Sequence, residues 1–268
     1  MMHVAVAAPV LGDSMGSPGK EASLDTQAPT LNTRAIALDV LGAILARNRP
    51  LDEALAANAG WSSGQLSSRD SGLVRMLVTT TLRRLGQIDG LLDSYLDRPL
   101  PQPENVVRNI LRIGVAQILF MRVAEHAAVD RTVDLCGIKN KDKYRALVTA
   151  LLRRIIREAD ESGSTELPDP ITNLPDWLRS AWTKAYGSET TALLAEAHLQ
   201  EPPLDISVKE DGGAWARKLG GLLLPTGSIR LSDHRGGVTD LPGYREGAWW
   251  VQDVAATLPV RLLGPVAG

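Results

Sequence analysis

The side chains in this chain whose types and spacing could do chemistry are cationic. Lys139, Lys141, Lys143 and Arg145 alternate through one short run, and adjacent arginines stand at Arg83 and Arg84 and again at Arg153 and Arg154. Arginine suits phosphate because its planar donors engage two oxygens at once, and it also stacks on unpaired bases. The lysine run reads as the start of a helix, where free backbone amides add to the attraction for an anion. The chemistry indicated is the grip of a polyanion. The plain alternatives are a solvated loop for the run and solvent-facing helix positions for the arginine pairs.

Covalent and metal chemistry find little support. Cys136 is the sole cysteine, which excludes an internal disulfide and a cysteine-based zinc cluster and fits a reducing cytoplasm. Placed between Leu135 and Gly137 on the apolar side of a helix, it reads as a buried structural thiol. His3, His126, His198 and His234 show no metal-ligand spacing. His126 is expected to pack against or cap a helix. The glycine pairs at 212–213, 220–221 and 236–237 form no Gly-x-Gly-x-x-Gly run after a strand and read as turns.

The elements that must position these cations come in two segments. From Arg34 to Glu158 there are 19 Lys+Arg against 13 Asp+Glu, whereas the whole chain carries a net charge of −2. A basic block with acidic flanks suits a domain that meets phosphate. Residues 1–32 mix Gly, Ser, Pro, Ala and Thr without periodicity and read as a disordered tail. Thr33 is a plausible cap for a first helix with Leu38, Leu41 and Leu45 on its stripe. A short helix from Leu51 follows, then a longer one capped by Ser67 or Ser68 with Val74, Met76, Leu77 and Val78 inward. Gly86 is expected to break it. Further helices are expected around Ile110–Leu119, with Arg108, Arg112 and Gln117 on its polar side, then around Val133 and from Tyr144 to Ile156. Gly114 should let helices approach closely. After a Ser/Gly/Pro-rich stretch at 160–172 the pattern becomes mixed. A helix runs through Trp182 to a break at Gly187, strands are expected at 203–208 and 228–231, and a short helix at 215–219. The fold class is mainly α: an all-α helical bundle followed by a small α/β subdomain. No run is apolar enough to span a membrane.

The order of several stretches carries a resemblance. Arg34-Ala35-Ile36-Ala37-Leu38, Leu111-Arg112-Ile113-Gly114-Val115, His126-Ala127-Ala128-Val129-Asp130 and the helix from Tyr144 resemble the NusB fold, an RNA-binding helical domain. Asn173-Leu174-Pro175-Asp176-Trp177, Glu201-Pro202-Pro203-Leu204-Asp205, Leu241-Pro242-Gly243-Tyr244 and Val251-Gln252-Asp253 resemble the layout that follows that domain in the Sun/RsmB family of 16S rRNA cytosine-C5 methyltransferases. The match covers roughly residues 34–263.

That resemblance implies boundaries and roles. Residues 33–159 would be the NusB-like RNA-binding domain, 160–172 a linker, 173–245 a small α/β subdomain and 246–268 the start of a methyltransferase domain. Arg34, Arg83, Arg84, Lys139, Lys141, Lys143, Arg145 and Arg153 would contact RNA, with Arg34 at the basic start of the first helix. Small-subunit rRNA would be the partner, with a separate catalytic domain as a second. Trp249 and Trp250 would lie on a strand that docks on that domain. The family uses S-adenosylmethionine and a pair of cysteines. Neither a Gly-rich cofactor loop nor such a pair occurs in this sequence, so the expectation is RNA binding without methyl transfer and without a cofactor. A NusB-type regulatory protein, acting in antitermination or ribosome assembly, is the alternative.

Overall fold

The computed structural model describes residues 32–101, 104–121, 123–163, 165–232 and 237–264. The expected tail up to residue 31, His3, His234 and Gly236 lie outside the described residues. The described chain divides into two compact units, one up to Leu199 and one from Gln200.

The first unit is helical. Its order is α1 (Thr33–Arg47), α2 (Leu51–Ala56), α3 (Ala59–Ser62), α4 (Ser68–Arg83), α5 (Leu85–Tyr95), α6 (Asn105–Phe120), α7 (Glu125–Ile138), α8 (Arg145–Ser162) and α9 (Asp176–Ala197), with 3-10 turns at Asp142–Tyr144 and Pro170–Asn173. Helix α6 is apolar on most of its circumference, and such a helix is stable only when surrounded. It packs against α1, α4, α5, α7 and α8. Val107, Ile110, Leu111, Ile113, Val115 and Ala116 are fully buried along it. Each large aliphatic side chain removed from water contributes about 1.5–3 kcal/mol. Gly114 makes the approach possible, since a Cβ there would lie 2.8 Å from Leu152 Cδ1 and 3.0 Å from Thr132 Cγ2.

Several local expectations are corrected. Asn32, not Thr33, caps α1, because its Oδ1 accepts from the Arg34 and Ala35 amides at 3.1 and 3.2 Å. Ser67 caps α4 by accepting from the Asp70 amide. Met76 points outward and is 48% exposed, since it falls one residue short of the buried pair Leu77 and Val78. The α4–α5 break falls at Arg84 (φ −110°, ψ 16°). Gly86 lies inside α5, where it admits another part of the chain: a Cβ would sit 1.9 Å from the Thr172 carbonyl oxygen. The stretch after α8 is tied to the same helix. Leu167 joins the core, and the Gln87 side-chain amide donates to the Pro168 carbonyl at 2.8 Å. Gly187, at φ 84° and ψ 166°, kinks α9 where a break was expected.

The second unit holds a four-stranded antiparallel sheet in the order β2-β3-β1-β4, with β1 at Leu204–Val208, β2 at Leu222–Leu223, β3 at Ile229–Leu231 and β4 at Trp249–Val251. Helices α10 (Gly212–Leu219) and α11 (Val254–Leu262) accompany it. Ile206, Ala216, Ile229, Leu231 and Trp249 form its core. Adjacent strand residues face opposite sides. Trp249 therefore fills this core, with its Nε1 donating to the Pro242 carbonyl at 2.8 Å, while Trp250 is 46% exposed. The expectation that both tryptophans face another domain fails for Trp249. No helix among the described residues is long and apolar enough to cross a membrane.

Candidate nucleic-acid interface

The expected cations separate into those paired with carboxylates and those that are not. In the lysine run, Lys139 ends α7 and its Nζ lies 2.5 Å from Asp39. Lys141 and Lys143 both reach Glu104, at 2.7 and 3.2 Å. The Lys141 ammonium, helped by Lys143, holds the buried Glu104 carboxyl below the usual carboxylate range. Arg145 opens α8 and donates to Asp142 at 2.8 Å, which raises its pKa further. Arg153 is exposed and lies in a groove of about 440 Å³ between α7 and α8, lined also by His126 and by Glu125, Asp130, Asp160 and Glu161. Four acids against two cations, Arg153 and Arg157, make that groove a poor seat for phosphate. His126 stands exposed in the first turn of α7 and neither packs nor caps, since Ala124 holds the cap position.

Arg34, Arg83 and Arg84 have no carboxylate ion pair among the described residues, and the fold brings them to neighbouring places. Arg34 Nε donates to Gln117 Oε1 at 2.6 Å. The Gln117 amide nitrogen in turn donates to the Ile113 carbonyl and to Thr132 Oγ1, each at 3.1 Å. One helical turn along α6, the Phe120 ring lies beneath the Arg84 guanidinium at 4.6 Å. Positions three apart on a helix share a face, with Cβ atoms about 5–6 Å apart. Two arginines, one in α1 and one at the α4–α5 break, are thus fastened to adjacent positions at the C-terminal end of α6. Burial, with Arg131 nearby, lowers the Arg34 pKa, and burial with Arg83 alongside lowers that of Arg84. A desolvated cation beside a like charge gains from an approaching anion.

Other arginines are consumed within the fold. Arg112 binds Asp89 through Nε and Nη2 at 2.8 and 2.6 Å, and Arg108 reaches Asp89 and Asp93. Arg154 pairs with Glu158 and Arg75 with Asp52. Sequence reasoning placed Gln117 on a polar rim with Arg108 and Arg112, whereas it is fully buried. It also missed Gln87 and Phe120 as holders of Arg84, and Asn173 as the partner that holds Gln87. The one available signal was an amide inside an otherwise apolar stripe. Cys136 is fully buried, and burial raises its thiol pKa, the opposite of an activated nucleophile.

The geometry thus defines a helical domain in which three arginines have no carboxylate partner among the described residues, followed by a small unit built on an antiparallel sheet. Residues 31–157 match the NusB family and form a NusB domain. The chain is also related to ribosomal RNA small subunit methyltransferase B proteins. It is 29% identical over 252 residues to the probable enzyme of Synechocystis, covering 88% of this chain and 56% of that protein. It is 29% identical over 246 residues to that of Pseudomonas putida, covering 87% and 55%. The chain therefore spans about half the length of the curated relatives it matches. Among solved structures, PH0851 shares the fold with a TM-score of 0.57 at 16% identity, covering 91% of this chain and 57% of that one.

Proposed function

We propose that this chain is the RNA-recognition portion of a 16S rRNA cytosine-C5 methyltransferase, and that these 268 residues do not themselves transfer a methyl group. The observation that carries the reading is the pair Arg34 and Arg84, held at one end of α6 with no carboxylate partner among the described residues. Relationship to methyltransferase B proteins supplies the substrate class. Arg34, Arg83 and Arg84 provide the main phosphate contacts. Lys139, Lys141, Lys143, Arg145 and Arg153 contribute less, because each of the first four is bound to an acid and the last faces several. The family's chemistry uses S-adenosylmethionine with a reactive thiolate, and the single cysteine of this chain is buried, with burial raising its thiol pKa.

Filter binding of a small-subunit rRNA fragment across a salt series tests the reading. Affinity should fall steeply with salt, because phosphate binding releases counterions. Undetectable or salt-insensitive binding would overturn it. Methyl incorporation from S-adenosylmethionine should stay at background, and turnover by the purified chain would refute that part. A truncation that separates RNA binding from the second unit belongs after Leu199, since residues 165–174 pack on α5.

A further inference from the structure

Arg84 differs from the other basic residues in how it is held. It stands where α4 ends and α5 begins, and its half-buried side chain packs back on the bundle. Its guanidinium lies on Phe120, and Nη1 donates to Gln87 Oε1 at 3.3 Å. Gln87 is 3% exposed and fixed by residues far along the chain. Its backbone N–H donates to Asn173 Oδ1 at 3.0 Å, and its Oε1 accepts from Asn173 Nδ2 at 3.1 Å. The Pro168 carbonyl takes the Gln87 amide, and Gly86 leaves room for the Thr172 carbonyl. A guanidinium has five N–H donors. Only one of those on Arg84 meets an acceptor among the described residues. Arg83 adds a second positive charge beside it.

We propose that Arg84, laid on Phe120 and held by Gln87, is a seat for one phosphodiester group of RNA, and that Asn173 is its positioning residue. The inference rests on the RNA-binding reading and extends it to the segment after the NusB domain. Phe120 and Gln87 fix the guanidinium plane, so its remaining donors are pre-aimed and little side-chain entropy is lost on binding. Asn173 touches no RNA in this arrangement. It acts by locking the Gln87 amide in the orientation whose oxygen faces Arg84.

The test is a fluorescence-anisotropy titration of the full chain with a labelled single-stranded oligouridylate at several salt concentrations. Salt-insensitive binding by the wild type would defeat the general RNA reading and is distinguishable from the outcomes below. Arg84→Gln should weaken binding about tenfold. It should also reduce the magnitude of the log–log salt slope by about 0.7, the value for one contact to a single strand. Arg84→Lys should restore the slope. Asn173→Ala should weaken binding in the wild-type background and have little further effect in the Arg84→Gln background. A thermal midpoint for each variant separates folding from binding, and Asn173→Ser replaces Asn173→Ala if the latter does not fold. An Arg84→Gln slope equal to the wild type, or losses that multiply in the double variant, would overturn the proposal.

Discussion

Arg34 and Gln117, 83 positions apart, are joined by a 2.6 Å hydrogen bond in which the guanidinium Nε donates to a fully buried amide oxygen. The bond orients a cation at the start of α1 from within the core. Gln117→Leu keeps the volume but leaves Arg34 Nε and Thr132 Oγ1 without this partner. We expect a stability loss of about 1–3 kcal/mol in urea denaturation, and weaker RNA binding at concentrations where the protein is folded. Unchanged binding by a folded variant would detach Arg34 from the interface.

Gly86 and Gly72 make a matched pair of helical glycines. A Cβ at Gly86 meets the Thr172 carbonyl, while nothing lies within 4 Å of one at Gly72. Gly86→Ala should destabilise by about 1–3 kcal/mol through overpacking. Gly72→Ala should stabilise by about 0.5–1 kcal/mol through helix propensity. Thermal denaturation of both variants checks the opposite signs.

Glu104 holds Lys141 and Lys143 away from other anions. Glu104→Gln should release both ammonium groups and raise RNA affinity roughly two- to fivefold at low salt, with the gain vanishing at high salt. It should lower stability at neutral pH, because the charged carboxylate is the form the lysines favour. Affinity that stays level in the folded variant would place the lysine run off the RNA path.

Asp205 binds Arg230 in two-point fashion, with both distances 2.8 Å, and also accepts from the Val254 amide at 3.2 Å. Arg230 chiefly holds the Asp205 carboxyl below its ordinary value. A folded value below the unfolded one means the stabilisation is fully present above about pH 4, the ordinary aspartate value, and is lost as pH falls through the lower folded value. Acid unfolding followed by tryptophan fluorescence should show this limb in the second unit. Asp205→Asn should remove it and destabilise the unit at pH 7.

The sequence by itself determined the longer helices of the first unit, though not the short α3, together with the strands at 204–208 and 229–231 and the burial of Cys136. Those follow from apolar periodicity and turn residues, which are local properties of the chain. The resemblance across residues 34–263 was equally legible, because it lies in ordered short motifs. What only the tertiary structure decided is which cations remain available. Lys141 and Lys143 look exposed in sequence, yet the start of α6 brings Glu104 to them. Arg84 looks like one more surface arginine, yet Phe120 and Gln87 fix it in place. Charge pairing depends on distances between residues dozens of positions apart, and no local pattern encodes those distances until the helices pack.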